Sequence, residues 1–262
     1  MKQGSRNIVN SAYAMIARSG ILSTRLGRGL YEGLYNQYKR WGEVGSLEVL
    51  RQYVDKGSIV IDVGAHTGFF TRYFAEWVGT QGRVLAVEPE EVALAGLKRM
   101  IARQRIEQIV EIFQAVADEE PGRLFLEVDP LNPGNHHIAE RGVPVKAIQI
   151  DDLMAERGWP RLSFMKIDVQ GAEERVLRGA AGTLDKLHPF LLVELEDEPL
   201  RSMGSSAEAV LRYLEGKQYQ FRRFHRGRLT SPLNMEEALQ YCRGGSYTDF
   251  LFEHRPAPTD RA

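Results

Sequence analysis

Short apolar runs alternate with amphipathic stretches along most of this chain after residue 46. Apolar runs bounded by turn residues are typical of buried strands, and apolar residues spaced three or four apart are typical of helices. Their alternation predicts an α/β fold, with a mostly parallel sheet covered by helices on both faces. The predicted strands are Ile59 to Val63, Val84 to Glu88, Val110 to Val116, Ser163 to Asp168, Leu191 to Glu196, Gln220 to His225 and Asp249 to Glu253.

The amphipathic stretches between these strands are predicted to be helices. They include Phe70 to Val78, Val92 to Arg103 and Ala172 to Leu184. One insertion interrupts the alternation, because the strand-like segments GRLFLEV and VPVKAIQI flank the loop DPLNPGNHHIAERG. The prolines and glycines of that loop place it at the surface, where a substrate could meet it.

Both ends of the chain fall outside the alternation. Residues 1–42 combine helical spacing of Tyr and Leu with an excess of basic residues, which predicts an N-terminal helical extension. It could pack on the main domain, close over a substrate, or contact an anionic surface such as a membrane or a lipid-linked substrate. We predict one main domain at 43–256 and a short tail at 257–262.

Composition narrows the possible partners and compartments. Among 262 residues, 34 Lys and Arg balance 35 Asp and Glu, so net charge gives no reason to expect a nucleic-acid partner. Cys242 is the only cysteine, which excludes a disulfide within the chain and predicts a reducing, cytoplasmic location. The early stretch NIVNSAYAMIA lacks the pattern of a secretory signal, and no apolar stretch reaches the ~20 residues that a membrane span needs.

The segment VIDVGAHTGFF joins a predicted strand to a predicted helix through a glycine turn. In an open α/β sheet this position binds ligands, because backbone N–H groups and the positive end of the helix dipole face them. His66 stands where a dinucleotide-binding turn has a glycine that lets the backbone approach a pyrophosphate. The Cβ of His66 therefore favours a nucleoside cofactor without phosphates, of which S-adenosylmethionine is the common one.

Two acidic residues support a nucleoside site. Glu88 ends the next strand 20 residues after Gly68, the distance at which a carboxylate accepts hydrogen bonds from both ribose hydroxyls. Asp62 could hold the ammonium of the methionyl part, directly or through water, or could merely cap the turn. The predicted cofactor-binding residues are Asp62, Val63, Gly64, Ala65, His66, Gly68, Glu88, Pro89 and Val116.

A second polar cluster lies in FMKIDVQGAEERVLRGAAGTL, where Asp168 ends a central strand at the same sheet edge. Lys166 projects to the same side of that strand and needs a partner, which Asp168 or Glu194 could supply. A structural ion pair and a catalytic pair are both compatible with this pattern. Glu173 and Glu174 open the following helix, where acidic residues also serve as ordinary caps.

These motifs together resemble the FkbM-type family of S-adenosylmethionine-dependent methyltransferases. The resemblance runs from about Glu43 to the final strand DFLFEH, and rests on GEVGSLEVLRQYVDKGSIVIDVGAHTGFFT, VLAVEPEE, IQIDDL, KIDVQGAEE and HPFLLVELE. It implies a seven-stranded sheet with an antiparallel last strand. It also implies methyl transfer to a hydroxyl oxygen, often on a sugar or natural product, so we expect a small-molecule or glycan acceptor. Gln170 departs from the family, which usually has Glu there.

Methyl transfer to a hydroxyl needs an aligned acceptor and a base that removes its proton. As the base we rank Asp168 first and His136 second, and His137 and Glu194 are further candidates. Lys166 is also a catalytic candidate. Asp168 could instead bind a divalent ion, but no further carboxylates stand at a convincing spacing, so we predict no metal.

Two other functions stay open. The basic run RRFHRGR at Arg222 to Arg228 could touch phosphates, as in a nucleic-acid methyltransferase, but it also suits an edge hairpin, where charge discourages aggregation. A cofactor-binding partner subunit without catalysis is the second alternative. Gln170 favours that alternative, and the presence of Asp62, Glu88 and Asp168 argues against it.

Overall fold

A computed structural model describes residues 47–127, 137–243 and 247–255 of the chain. The predicted N-terminal extension, His136 and the predicted C-terminal tail lie outside these residues. In the part that is described, no helix is both long and apolar enough to cross a membrane.

One large sheet forms the centre of the molecule. Its strands are β1 (Ile59–Val63), β2 (Arg83–Val87), β3 (Val110–Phe113), β8 (Leu162–Ile167), β9 (Phe190–Leu195), β10 (Tyr219–His225), β11 (Arg228–Leu229) and β12 (Thr248–His254). Their order is β11-β10-β12-β9-β8-β1-β2-β3. Every residue of β1 and β8 is buried, as expected for central parallel strands covered on both faces.

The strand directions confirm the predicted fold class. β1 pairs in parallel with β2 and β8, β2 with β3, and β8 with β9, whereas β12 runs antiparallel to β9 and β10. Seven strands were predicted, and the two-residue β11 adds an eighth at the edge. β11 pairs with β10 across the basic run, which confirms that this run forms an edge hairpin.

Helices cover both faces of the large sheet. They are α1 (Glu48–Arg51), α2 (Phe69–Val78), α3 (Glu91–Gln104), α4 (Ile150–Glu156), α5 (Glu173–Arg178), α6 (Ala181–Leu187), α7 (Asp197–Ser202), α8 (Ala207–Gly216) and α9 (Met235–Cys242). The apolar side chains of α1 to α3 pack into one core cluster. Those of α4 to α9 form the cluster on the other face.

The insertion forms a second, smaller sheet, whose strands are β4 (Val116–Ala117), β5 (Gly122–Glu127), β6 (His137–Ala139) and β7 (Val143–Ile148). Two predictions were wrong here. The strand predicted from Val110 to Val116 breaks after Phe113, and its end joins the smaller sheet as β4. The segment predicted as a loop between β5 and β7 contains β6, which pairs with β5.

The prediction of a single helix from Ala172 to Leu184 was also wrong, because this segment forms two helices, α5 and α6. A Cβ on Gly179 would lie 2.0 Å from the carbonyl oxygen of Asp118, so the missing side chain lets another segment approach here. The Asp151 carboxylate then accepts hydrogen bonds from the N–H groups of Gly182 and Thr183 and caps the start of α6. The four-residue apolar spacing continues across the break, so periodicity alone did not reveal it.

Candidate cofactor and acceptor site

The carboxyl ends of β1, β2 and β8 lie side by side and bring the two predicted motifs together. Asp62 is in register with Lys166 across β1 and β8, and Glu88 follows β2 directly. This edge of a parallel sheet is where open α/β folds bind their ligands.

The glycine turn after β1 differs from prediction in what its N–H groups contact. The amides of Gly64 and Ala65 donate to the carbonyl oxygen of Val87, at 3.0 and 3.1 Å. The His66 amide donates to Oε2 of Glu88 at 2.7 Å. We expected these donors to face a ligand, but they instead tie the turn to the end of β2.

Positive φ and close packing favour glycine at both glycine positions of the turn. Gly64 has φ of 74°, and a Cβ there would lie 1.9 Å from the carbonyl oxygen of Asp168. A Cβ on Gly68, with φ of 88°, would lie 2.3 Å from Cε of Met100. His66 also has positive φ, 49°, in the left-handed region. The spacing of the glycines therefore reflects contacts within the protein.

Glu88 is buried at the end of β2, with 5% of its surface exposed. Its Oε1 accepts the N–H of Glu90 at 2.9 Å, and its Oε2 accepts the N–H of His66. Burial raises the pKa of the Glu88 carboxyl to about 7, and the two backbone N–H groups partly oppose that rise. Each oxygen retains a second lone pair that a hydroxyl could use.

Asp62 is fully buried and contacts protein groups. Its Oδ2 accepts a hydrogen bond from the Thr71 hydroxyl at 2.6 Å, which ties the end of β1 to α2. Its Oδ1 lies 3.4 Å from Nζ of Lys166. Both contacts are with side chains, and Oδ1 is buried without a hydrogen-bond partner in the described residues.

Lys166 links the two motifs. Its Nζ donates to the carbonyl oxygen of Gly64 at 2.8 Å and lies 3.2 Å from Oδ2 of Asp168. The ammonium is also 5.1 Å from the centre of the Phe70 ring, and only 4% of the side chain is exposed. This buried ammonium thus contacts the glycine turn and both aspartates.

The turn after β8 presents the leading catalytic candidate. Asp168 is 20% exposed and its N–H donates to the carbonyl oxygen of Val63 at 3.1 Å. Gln170 is half-buried in the same turn. Gly171 has φ of 82°, and a Cβ there would lie 2.4 Å from the carbonyl oxygen of Pro199. The turn is therefore packed tightly against the start of α7.

The two glutamates that open α5 differ completely. Glu174 accepts hydrogen bonds from Arg178 and Ser205, which lower its pKa against the effect of partial burial. Glu173 is 2% exposed, and burial raises its pKa well above the usual range, helped by the negative charges of Asp168 and Glu196. Glu174 therefore bonds to side chains, whereas Glu173 accepts the backbone N–H of Gly171.

A cavity of about 330 Å³ opens at Pro89, the residue after Glu88, between the large and small sheets. Its lining includes Pro89, one of the predicted cofactor residues, with Gln114 and Val145. Val116, also predicted to bind cofactor, is buried and packs against Leu126 in the small sheet. The small sheet thereby supplies a wall of the cavity, a role that its sequence did not reveal.

The other candidate bases are less central. His137 begins β6, with Nε2 3.5 Å from Oε2 of Glu127 and 40% of its side chain exposed. Glu194 is buried in β9, opposite Asp249 of β12. Within the described ranges, no group of three or more His, Cys, Asp or Glu side chains is arranged to hold a metal ion.

Sequence reasoning missed one ion pair that fixes the site. Asp118, 1% exposed, accepts two hydrogen bonds from Arg175, at 2.9 and 2.8 Å, and so ties the small sheet to α5. The signal was an aspartate directly after the apolar Ala115 to Ala117, where a buried charge requires a partner. Asp151 in IQIDDL gave a similar signal, and its carboxylate caps α6.

Comparison with known families identifies the domain. The model of the methyltransferase FkbM domain matches residues 62–222, which are 161 of the 262 residues of the chain. The match includes the glycine turn, Glu88, the small sheet and the Asp168 turn.

Curated relatives are methyltransferases of low identity. Methyltransferase 1 of Beauveria bassiana is 28% identical over 58% of this chain and 68% of its own length. The 2-O-methyltransferase NoeI of Sinorhizobium fredii is 24% identical over 71% of this chain and 86% of its own length.

A solved structure supports the fold. The crystal structure of methyltransferase FkbM from Methylobacillus flagellatus matches with a TM-score of 0.52 at 17% identity, over 94% of this chain. The present chain covers 59% of that protein's chain. At this identity the likeness concerns the fold alone.

Proposed function

The chain belongs to the FkbM methyltransferase family, and we propose that it transfers the methyl group of S-adenosylmethionine to a hydroxyl oxygen of a sugar, glycolipid or natural-product acceptor. S-adenosylmethionine is the cofactor expected for this family. One observation carries the proposal: the buried Glu88 carboxylate and the cavity at Pro89 lie on the sheet edge that also holds Asp168.

The residues beside the cavity suit the nucleoside part of the cofactor. Glu88 keeps one lone pair on each oxygen for the two ribose hydroxyls, and its charge would repel a 2'-phosphate. A volume of about 330 Å³ lies at the small end of the usual range for ligand pockets. The lining combines prolines and aliphatic groups with Gln114 and the charged residues Glu90, Glu91 and Lys146. We place the adenine in this cavity.

Asp168 and Lys166 suit the acceptor end of the reaction. When bound, the cofactor supplies an electrophilic methyl group on a positively charged sulfur. Asp168 is a partly exposed carboxylate at this edge. It would accept the proton that the acceptor hydroxyl loses as its oxygen bonds to the methyl carbon and the bond from that carbon to sulfur breaks. Lys166 holds Asp168 in place and stabilises its negative charge.

Oxygen as the acceptor atom draws support from one relative. NoeI is named as a 2-O-methyltransferase, and its match extends over 71% of this chain. We expect Asp168 to face this hydroxyl, because a neutral hydroxyl must lose its proton as its oxygen is methylated.

Two substitutions test the division of roles. Glu88→Ala should weaken binding of S-adenosylmethionine and S-adenosylhomocysteine by about tenfold or more, because it removes charged acceptors from the ribose hydroxyls. Asp168→Asn should leave both affinities nearly unchanged. Titration calorimetry measures these affinities, and Glu76→Ala on the exposed side of α2 is the matched control.

Turnover is the second readout. Mass spectrometry of glycolipids and small metabolites from cells with and without the gene should reveal an acceptor whose methylation Asp168→Asn reduces. Equal loss of cofactor affinity in both variants would show that the roles are divided wrongly. Cofactor binding without any methylated hydroxyl product would favour a non-catalytic partner subunit.

A further inference from the structure

Glu173 is a buried acid whose carboxyl group is incompletely hydrogen-bonded within the described part of the protein. Its Oε1 accepts the N–H of Gly171 at 3.3 Å, a long hydrogen bond. Its Oε2 is buried without a hydrogen-bond partner, and no Lys, Arg or His of the described residues forms an ion pair with it. An ionised carboxylate in this environment would be strongly destabilising.

Two carboxyl groups face Glu173 from the neighbouring elements. Asp168 follows β8 and Glu196 precedes α7, and the negative charge of each opposes ionisation of Glu173. The turn cannot easily move away, because Gly171 lies directly against the backbone of Pro199. Three acids therefore share this end of the sheet, and they cannot all carry a charge cheaply.

The charges at this edge are fixed by different contacts. Lys166 lies 3.2 Å from Asp168 and favours a negative charge there. Glu173 is the most deeply buried of the three acids, since Asp168 and Glu196 are half-buried. The proton therefore belongs on Glu173.

We propose that Glu173 is a positioning residue that acts through Asp168: it remains uncharged between the ends of β8 and β9, and so leaves Asp168 as the carboxylate that receives the acceptor proton. This inference rests on the proposed function for the role of Asp168. An ionised Glu173 would make the charge on Asp168 more costly and would push the Asp168 turn away from Lys166.

Infrared spectroscopy tests the protonation state directly. At about neutral pH, the wild-type protein should give the carbonyl band of a protonated acid that Glu173→Gln removes. Glu174→Gln is the matched control. Glu174 is the next residue, and its hydrogen bonds with Arg178 and Ser205 lower its pKa and favour the ionised form. Glu173→Asp should shift the band, which assigns it even if the Gln variant folds poorly.

The coupling to Asp168 is the decisive readout. Asp168→Asn removes one of the two opposing charges, so the band of Glu173 should titrate about one pH unit lower than in the wild type. Glu174→Gln should leave the midpoint of that titration in place. A role confined to packing would not move the midpoint with Asp168.

The outcomes separate this inference from the proposed function. A wild-type spectrum without the band near neutral pH, or a midpoint that Asp168→Asn does not move, overturns the inference. Calorimetry with S-adenosylmethionine on the same samples tests the function. Failure to bind cofactor while the band behaves as expected would refute the function and leave the charge state of Glu173 established.

Discussion

The turn after β1 and the turn after β8 occupy equivalent places in the fold but satisfy their polar groups differently. Both follow fully buried parallel strands and both contain a positive-φ glycine against a neighbouring carbonyl group. In the first turn, Val87 and Glu88 accept the amides of residues 64 to 66. Both turns also keep a buried side-chain oxygen without a hydrogen-bond partner in the described residues, Thr67 Oγ1 in the first and Glu173 Oε2 in the second. Only in the second does that oxygen belong to an acid whose ionisation two nearby carboxylates oppose.

This difference corresponds to two roles, holding the cofactor and transferring the proton. The first turn is braced by its neighbours, which suits a surface that must keep one shape while a cofactor binds and leaves. The second concentrates acids whose charges depend on one another, which suits proton transfer. Lys166 supplies the ionic contact between the two, since its ammonium reaches Gly64 and Asp168.

The largest effect should come from removing that contact. Lys166→Met should lower the free energy of unfolding by about 3 to 5 kcal/mol, because it leaves the fully buried charge of Asp62 without its cation. It should also abolish measurable cofactor binding, since the glycine turn loses its link to β8. Urea unfolding and calorimetry measure the two effects.

Lys217→Met is the matched control for Lys166→Met. Lys217 lies 2.6 Å from Asp185, whose side chain is 61% exposed, so this ion pair should contribute under about 1 kcal/mol. Similar losses in both variants would contradict the bridging role and make the two turns independent.

A smaller loss should follow from Gly64→Ala, which tests whether the first turn is fixed by packing. The added Cβ meets the carbonyl oxygen of Asp168 at 1.9 Å, and φ is positive, so we expect a loss of roughly 3 kcal/mol in unfolding free energy. Gly158→Ala is the control, because Gly158 has φ of 71° with no atom near its Cβ position. It should cost only about 1 kcal/mol. Equal losses would show that backbone strain, and not contact between the turns, accounts for the glycine.

The smallest effect concerns pH. The raised pKa of Glu88 means that its carboxyl is protonated below about pH 7, whereas ribose hydroxyls favour the carboxylate. Affinity for S-adenosylhomocysteine should therefore fall as pH drops from about 8 to about 5.5, by at most tenfold per pH unit. Glu88→Gln should bind weakly with a flat profile, as measured by calorimetry.

The same shift affects stability in the opposite direction. Because folding raises the pKa of Glu88, its contribution to the stability of the cofactor-free protein is lost as pH rises through about 7. For cofactor binding, an affinity that rises as the pH falls would contradict the prediction and show that the ribose does not bind Glu88.

Much of the fold could be predicted because its strands carry strong local signals. The buried runs of β1, β8 and β9 lie within a residue of prediction, since central parallel strands are mostly apolar. The breaks after Phe113 and at Gly179 could not be predicted. Both depend on contacts with another segment of the chain, which no local sequence pattern records. At Gly179 that contact is the close approach of the Asp118 backbone.

The candidate site was predictable in its residues but less so in their contacts. The positions of Glu88 and Asp168 follow from strand ends, which sequence reveals well. The internal use of the turn amides depends on the register between β1 and β2, which the sequence does not specify on its own. The depth of Glu173 likewise depends on the packing of α7 against Gly171.

Lys166 also has a consequence for how the site is assembled during synthesis. Its bond to the carbonyl oxygen of Gly64 joins residues 102 positions apart, so the cofactor turn cannot be completed until β8 has been made and has closed a long loop. A ribosome-bound chain ending before β8 would carry every residue of the first motif without the contact that secures it. Cofactor-assisted folding should therefore begin late in translation.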